Sequence, residues 1–106
     1  MSTNNLYVIY KITSPSGKSY IGQTNNMKRR ITKHKSRSST CRLVSSAIQK
    51  YGWDNIHHEI LLSGLSIDEA NIHEPLLIIE HSTLSPAGYN LKSGGITKLT
   101  QKKRNG

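Results

Sequence analysis

Phenylalanine is absent from this chain, and it has one tryptophan, one cysteine and three prolines. With Cys41 alone, neither an internal disulfide nor a cysteine-built zinc site can form. No apolar run approaches the ~20 residues that a membrane span needs. The opening MSTNNLYVIY lacks the basic-then-apolar plan of a secretion signal. The expectation is an intracellular protein without a membrane partner. Acidic residues are also few, six against fifteen lysines and arginines, for a formal charge of +9. That balance points to a polyanionic partner such as nucleic acid or an anionic membrane surface.

The cations are clustered. Lys28, Arg29, Arg30, Lys33, Lys35, Arg37 and Arg42 crowd one stretch, and Lys98, Lys102, Lys103 and Arg104 form a second group at the end. Although only 34% of residues are hydrophobic, the leucines, isoleucines and valines recur periodically. At 106 residues the chain is read as one ordered domain with a single modest core.

Residues 6–12 alternate β-branched and aromatic side chains with apolar groups on both faces, which suits a central strand covered on both sides. SPSG supplies Pro15 to preset φ and Gly17 for a positive φ, so KSYIG returns as a second strand. In such a hairpin Tyr10 and Tyr20 lie opposite or diagonal, roughly 5–8 Å apart. Asn25 or Asn26 can cap a helix whose Met27, Ile31 and His34 share a side. Arg30 and His34, four apart, share a face.

A second helix is expected in TCRLVSSAIQKYG, with Leu43, Ala47, Ile48 and Tyr51 as its stripe and Gly52 as its end. WDNIHHEILLSG reads as a third strand. Its adjacent His57 and His58 point to opposite faces, which argues against a histidine zinc site. A third helix starts at Ser66 with a capping box to Glu69. Pro75 is expected to interrupt it directly after Glu74. The fold class is α/β, a three-stranded antiparallel sheet flanked by about three helices. Residues 1–95 form the domain and 96–106 a basic tail or the start of a linker.

VIY and YIG at the two strands, a basic helix with Arg30 and His34, a later helix with Glu74, and GYN at Gly88–Asn90 occur in that order. Together they resemble the GIY-YIG nuclease family. AIQKYGWDNI and SPAGYNLKSGG are similar to its phage and intron homing-endonuclease branch. Val8 stands where that family usually has its first glycine.

The resemblance implies a DNA endonuclease, monomeric in isolation, acting on double-stranded DNA with one Mg²⁺ or Mn²⁺ per site. It implies a location in cytoplasm or nucleoid, with a phage or mobile element as the encoding source. It maps Tyr10, Tyr20, Arg30, His34, Glu74 and Asn90 onto catalytic positions, with Glu74 as metal ligand and Asn90 closing the site. Gly22 is expected to let phosphate approach a bare backbone. Lys18, Gly22, Lys28, Arg29, Lys33, Lys35, Arg37 and Arg42 are the expected nucleic-acid contacts.

The chemistry is coherent. Arg30 offers a planar donor fork to phosphoryl oxygens, and one carboxylate suits a single hard cation. Tyrosine needs neighbouring cations to act as a base near neutrality, because its free pKa is about 10. Tyr10 is expected to be that base, with Tyr20 orienting water or phosphate. Two other readings compete: a silent nucleic-acid-binding module in which Pro75 displaces Glu74, and a repair-type nuclease for branched or damaged DNA.

Overall fold

The structure, a computed structural model, describes residues 6–36 and 42–91. Its elements are β1 (Tyr7–Thr13), β2 (Ser19–Thr24), α1 (Met27–Lys35), α2 (Arg42–Tyr51), β3 (His57–Leu65) and α3 (Ile67–Glu80). The sheet is antiparallel in the order β2-β1-β3, so the first strand is central, as its two-sided apolar pattern requires. Alternate side chains separate two cores. Tyr10, Ile12 and Tyr20 pack with Val44, Ile48 and Ile56 on one face. Ile9 and Ile21 meet Ile78 of α3 on the other.

The β1–β2 turn closes as its composition demands: Gly17 has φ +92° and donates to the Ser14 carbonyl at 2.9 Å. Pairing sets Tyr10 opposite Gly22 and Ile12 opposite Tyr20, so the two tyrosines are diagonal neighbours with ring centroids 6.2 Å apart. Asn26 caps α1 by accepting from the Arg29 amide at 3.0 Å.

Two boundaries differ from expectation. On α2 the buried stripe is Val44, Ala47 and Ile48, with Leu43 only half-buried. Val44 rather than Leu43 joins the cluster with Tyr10 and Ile12, while Ala47 and Ile48 are buried and Tyr51 packs on that core as expected. The third strand begins at His57, because Trp53–Asn55 forms a 3-10 turn. Gly52, at φ +84°, ends α2 by donating to the Ile48 carbonyl at 2.8 Å and turns the chain. Trp53 then stacks on His58, centroids 5.0 Å apart and nearly parallel at 12°.

The capping box at Ser66 is formed in both directions: Glu69 N donates to Ser66 Oγ, and Ser66 N donates to Glu69 Oε1. Pro75 does not interrupt α3, which runs unbroken to Glu80. Proline's own φ is helical, and its cost here is one missing donor to the Asn71 carbonyl. Glu74 remains half-buried toward the sheet.

After α3, residues 83–90 fold along the open edge of β2. Tyr89 N donates to the Ser19 carbonyl at 2.7 Å. Asn90 brackets Ile21, accepting from its amide at 2.8 Å and donating to its carbonyl at 2.9 Å. An exposed strand edge is thereby closed with side-chain hydrogen bonds. Among the described residues no helix is long and apolar enough to cross a membrane. Arg37, Cys41, the expected start of α2 at Thr40 and the basic tail lie outside the described residues.

Gly88 holds this loop against itself, because a Cβ there would run into the Thr83 backbone. Gly88→Ala is therefore expected to cost about 1–3 kcal/mol through overpacking. Thermal denaturation checks this; an unchanged Tm would contradict the packing assigned to the loop.

Candidate active site

The site is organised around the hydroxyl of Tyr10. The side chain has no exposed surface. Its oxygen lies 2.7 Å from His34 Nε2 and accepts from Arg30 Nε at 3.2 Å. Both partners come from one face of α1, the consequence of their spacing of four. Tyr20 stacks edge-on to His34, with centroids 5.2 Å apart, and with 8% exposure it supplies the tyrosine pair's solvent contact.

Gly22 is what permits this arrangement. A Cβ at that position would lie 2.5 Å from the Tyr10 oxygen and 2.9 Å from the Tyr20 ring. The glycine is buried and its missing side chain makes room for the tyrosines. Where the sequence led us to expect bare backbone open to phosphate, the space beside Gly22 is filled by the two tyrosines.

His34 is fully buried, and burial together with the nearby Arg30 charge pushes its pKa down to about 4. It is therefore neutral near pH 7. Its Nδ1 has no hydrogen-bond partner among the described residues. A buried N–H without an acceptor is costlier than a bare ring lone pair. The favoured tautomer thus keeps the proton on Nε2 and donates it to Tyr10. Tyr10 then receives hydrogen bonds from both neighbours, an arrangement that favours negative charge on its oxygen. For Arg30, burial works against the charge. The charges and hydrogen bonds of Tyr10 and Tyr20 outweigh it and hold the guanidinium more firmly protonated than usual.

Glu74 approaches from α3 on the other face of the sheet. Burial pushes its pKa up to about 7, partly offset by the charge of Arg30. Beside it is Gln23 of β2, a residue that sequence patterning gave no reason to select. With its amide turned so that the nitrogen faces these two acceptors, it donates to Glu74 Oε1 at 2.8 Å and to the Ala70 carbonyl at 3.0 Å. The sequence reading ends the second strand at Gly22, one residue short of Gln23, whereas β2 runs on to Thr24.

The remaining expected residues divide. Asn90 is buried, and its side chain is committed to Ile21 and Thr83, so it holds β2 in place. Lys28, Arg29, Lys33, Lys35 and Arg42 are exposed on α1 and α2, and Lys18 is exposed in the β1–β2 turn. Arg29, Arg30 and Lys33, with Tyr7, Gln23, Thr24 and Asn25, line a cleft of about 340 Å³. Its three cations suit a phosphate backbone.

Residues 6–83 match the family of the GIY-YIG catalytic domain. The chain belongs to that family, and with it to the endonucleases. Such domains act on DNA and are in general dependent on a divalent metal. No curated protein and no solved structure matches the chain.

Whether the residues suit such an ion can be judged from Glu74. Among the described residues no group of three His, Cys, Asp or Glu side chains gathers to hold a metal. One half-buried carboxylate with its charge incompletely compensated nevertheless fits a hard cation that keeps most of its water.

The two perturbed groups act oppositely on stability. With His34 at about 4, below its ordinary 6.5, stability is lost as pH falls from 6.5 through 4. With Glu74 at about 7, above its ordinary 4.5, stability is lost as pH rises from 4.5 through 7. Glu74→Gln in EDTA at pH 8 is accordingly expected to be more stable than the parent by about 1–2 kcal/mol after solvent screening. Its stability should also fall more steeply in acid, where Glu74 no longer offsets His34. Denaturant melts across pH check both; a less stable variant at pH 8 would contradict the burial cost assigned to Glu74.

Proposed function

We propose that this domain is a divalent-metal-dependent endonuclease of the homing type, hydrolysing phosphodiester bonds in double-stranded DNA and acting as a monomer inside the cell. The observation that carries the reading is the Tyr10 oxygen held by Arg30 and His34 beside a cationic cleft. A phosphodiester needs charge stabilisation, a path for the proton of the attacking water and help for the leaving oxygen.

Arg30 meets the first need, its charge directed at the developing negative charge on phosphorus oxygens. The proton passes to a phenol. Tyr10 is the expected base, but its oxygen is covered, whereas Tyr20 keeps contact with solvent. In our reading Tyr20 receives the proton as the water oxygen bonds to phosphorus. For this Tyr20 must first give up its own proton to solvent, and the Arg30 charge, which hydrogen-bonds Tyr20, favours that phenolate, while the Tyr10 hydroxyl and neutral His34 hold Arg30 in place. The bond from phosphorus to the leaving sugar oxygen breaks, and that oxygen takes a proton from solvent. A divalent ion held by Glu74 would supply Lewis-acid stabilisation of the leaving oxygen. Lys28, Arg29, Lys33, Lys35 and Arg42 neutralise neighbouring phosphates.

The reading is tested on supercoiled DNA with Mg²⁺. The parent should give nicked or linear product, and Arg30→Ala or Glu74→Gln should lower the rate by about 10²-fold or more. Tyr20→Phe should lose about 10²–10³ and Tyr10→Phe less, near tenfold. The reverse order would return the base to Tyr10. Salt-sensitive binding without cleavage in any divalent metal would overturn the nuclease assignment.

A further inference from the structure

Gln23 lines the cleft and also meets α3. It sits on β2 opposite Ile9, one residue past Gly22, on the face that packs against α3. There its amide has three neighbours: Glu74 Oε1 at 2.8 Å, the Ala70 carbonyl at 3.0 Å and the Asn71 side-chain amide at 3.1 Å. Two of these can only accept when Glu74 is ionised, because a main-chain carbonyl and a carboxylate have no proton to give. The amide nitrogen must therefore face them, one hydrogen for each. The amide oxygen then faces Asn71, which can turn its own NH₂ to donate.

This is a closed arrangement. One hydrogen of Gln23 is tied to the α3 backbone a turn before Glu74, which fixes the amide plane. The other hydrogen is thereby aimed at a single carboxylate oxygen. A lone Glu side chain has several accessible rotamers and loses that freedom when it binds an ion. A donor fixed on one oxygen selects the rotamer in advance and leaves the second oxygen open. Outer partners of metal-ligating carboxylates act in this way generally.

We propose that Gln23 is a positioning residue for Glu74: it orients the carboxylate so that one oxygen is presented to a divalent cation. The proposal rests on Glu74 being the metal ligand of the nuclease reading. Gln23 itself touches neither the ion nor the reacting phosphorus. Because it also lines the cleft, it couples the seat of the ion to the strand that carries Tyr20.

The test compares the full chain with Gln23→Met, which keeps length and volume but removes both amide hydrogens, and with Glu74→Gln. The readout is Mn²⁺ affinity without DNA, followed by water proton relaxation, with circular dichroism to verify the fold. The expected result for Gln23→Met is affinity weaker by about tenfold or more. Its cleavage rate should recover as Mg²⁺ is raised to saturation. A role confined to packing would lower the rate at every Mg²⁺ concentration and leave Mn²⁺ affinity alone; that result overturns the proposal. If Gln23→Met folds and binds Mn²⁺ like the parent while Glu74→Gln does not bind, only the positioning role fails. If Glu74→Gln binds Mn²⁺ like the parent, the metal assignment beneath it fails.

Discussion

The hydroxyl of Tyr10, buried between a neutral histidine and a protonated arginine, is the contact on which the rest of the structure depends. Such a group is unfavourable in an apolar core unless its polar atoms are satisfied. Satisfying them fixes much else. Arg30 and His34 must lie one turn apart on α1, and α1 must lie over the β1–β2 pair. Gly22 must lack a side chain, since any Cβ there meets the phenol. One hydrogen-bonded oxygen thus accounts for the first tyrosine, the glycine of YIG, and the arginine and histidine of the following helix.

That hub lies on one face of the sheet, while Glu74 comes from the helix packed on the other. The two halves meet at β2, an edge strand, and an edge strand is held weakly by its single neighbour. Asn90 and Tyr89 supply the missing restraint by bonding to its free edge at Ile21 and Ser19. Gln23 supplies a further tie, from the strand to α3. The conformation of β2 is therefore over-determined from both sides, as a strand presenting both Tyr20 and a metal carboxylate's partner needs to be.

What could be read in the sequence was what local chemistry decides. The Pro15–Gly17 turn, the Ser66 capping box, the Gly52 helix end and the shared face of Arg30 and His34 all depend on residues a few positions apart. They are found as expected. The two-sided apolar pattern of β1 likewise made it central. Decisions taken by packing were not legible. Val44 rather than Leu43 joins the cluster with Tyr10 and Ile12. Trp53 leaves the third strand for a turn that stacks it on His58. Pro75 looks like a break, yet a helix held at its capped start and packed through Ala70 and Ile78 absorbs one lost bond. Gln23 meets Glu74 only because β2 and α3 are brought together by the whole fold. The family resemblance was legible because it rests on short motifs in order, and residues 6–83 bear it out.

The most direct test of this account is the state of the His34 imidazole, read by ¹⁵N–¹H correlation spectroscopy of the side chain as a function of pH. The account predicts a neutral ring at pH 6.5 with its proton on Nε2, titrating near 4. A ring carrying its proton on Nδ1 would contradict it, because Tyr10 would then lack the donor on which the site is built, and one that titrates above 6 would contradict the burial that keeps the ring neutral.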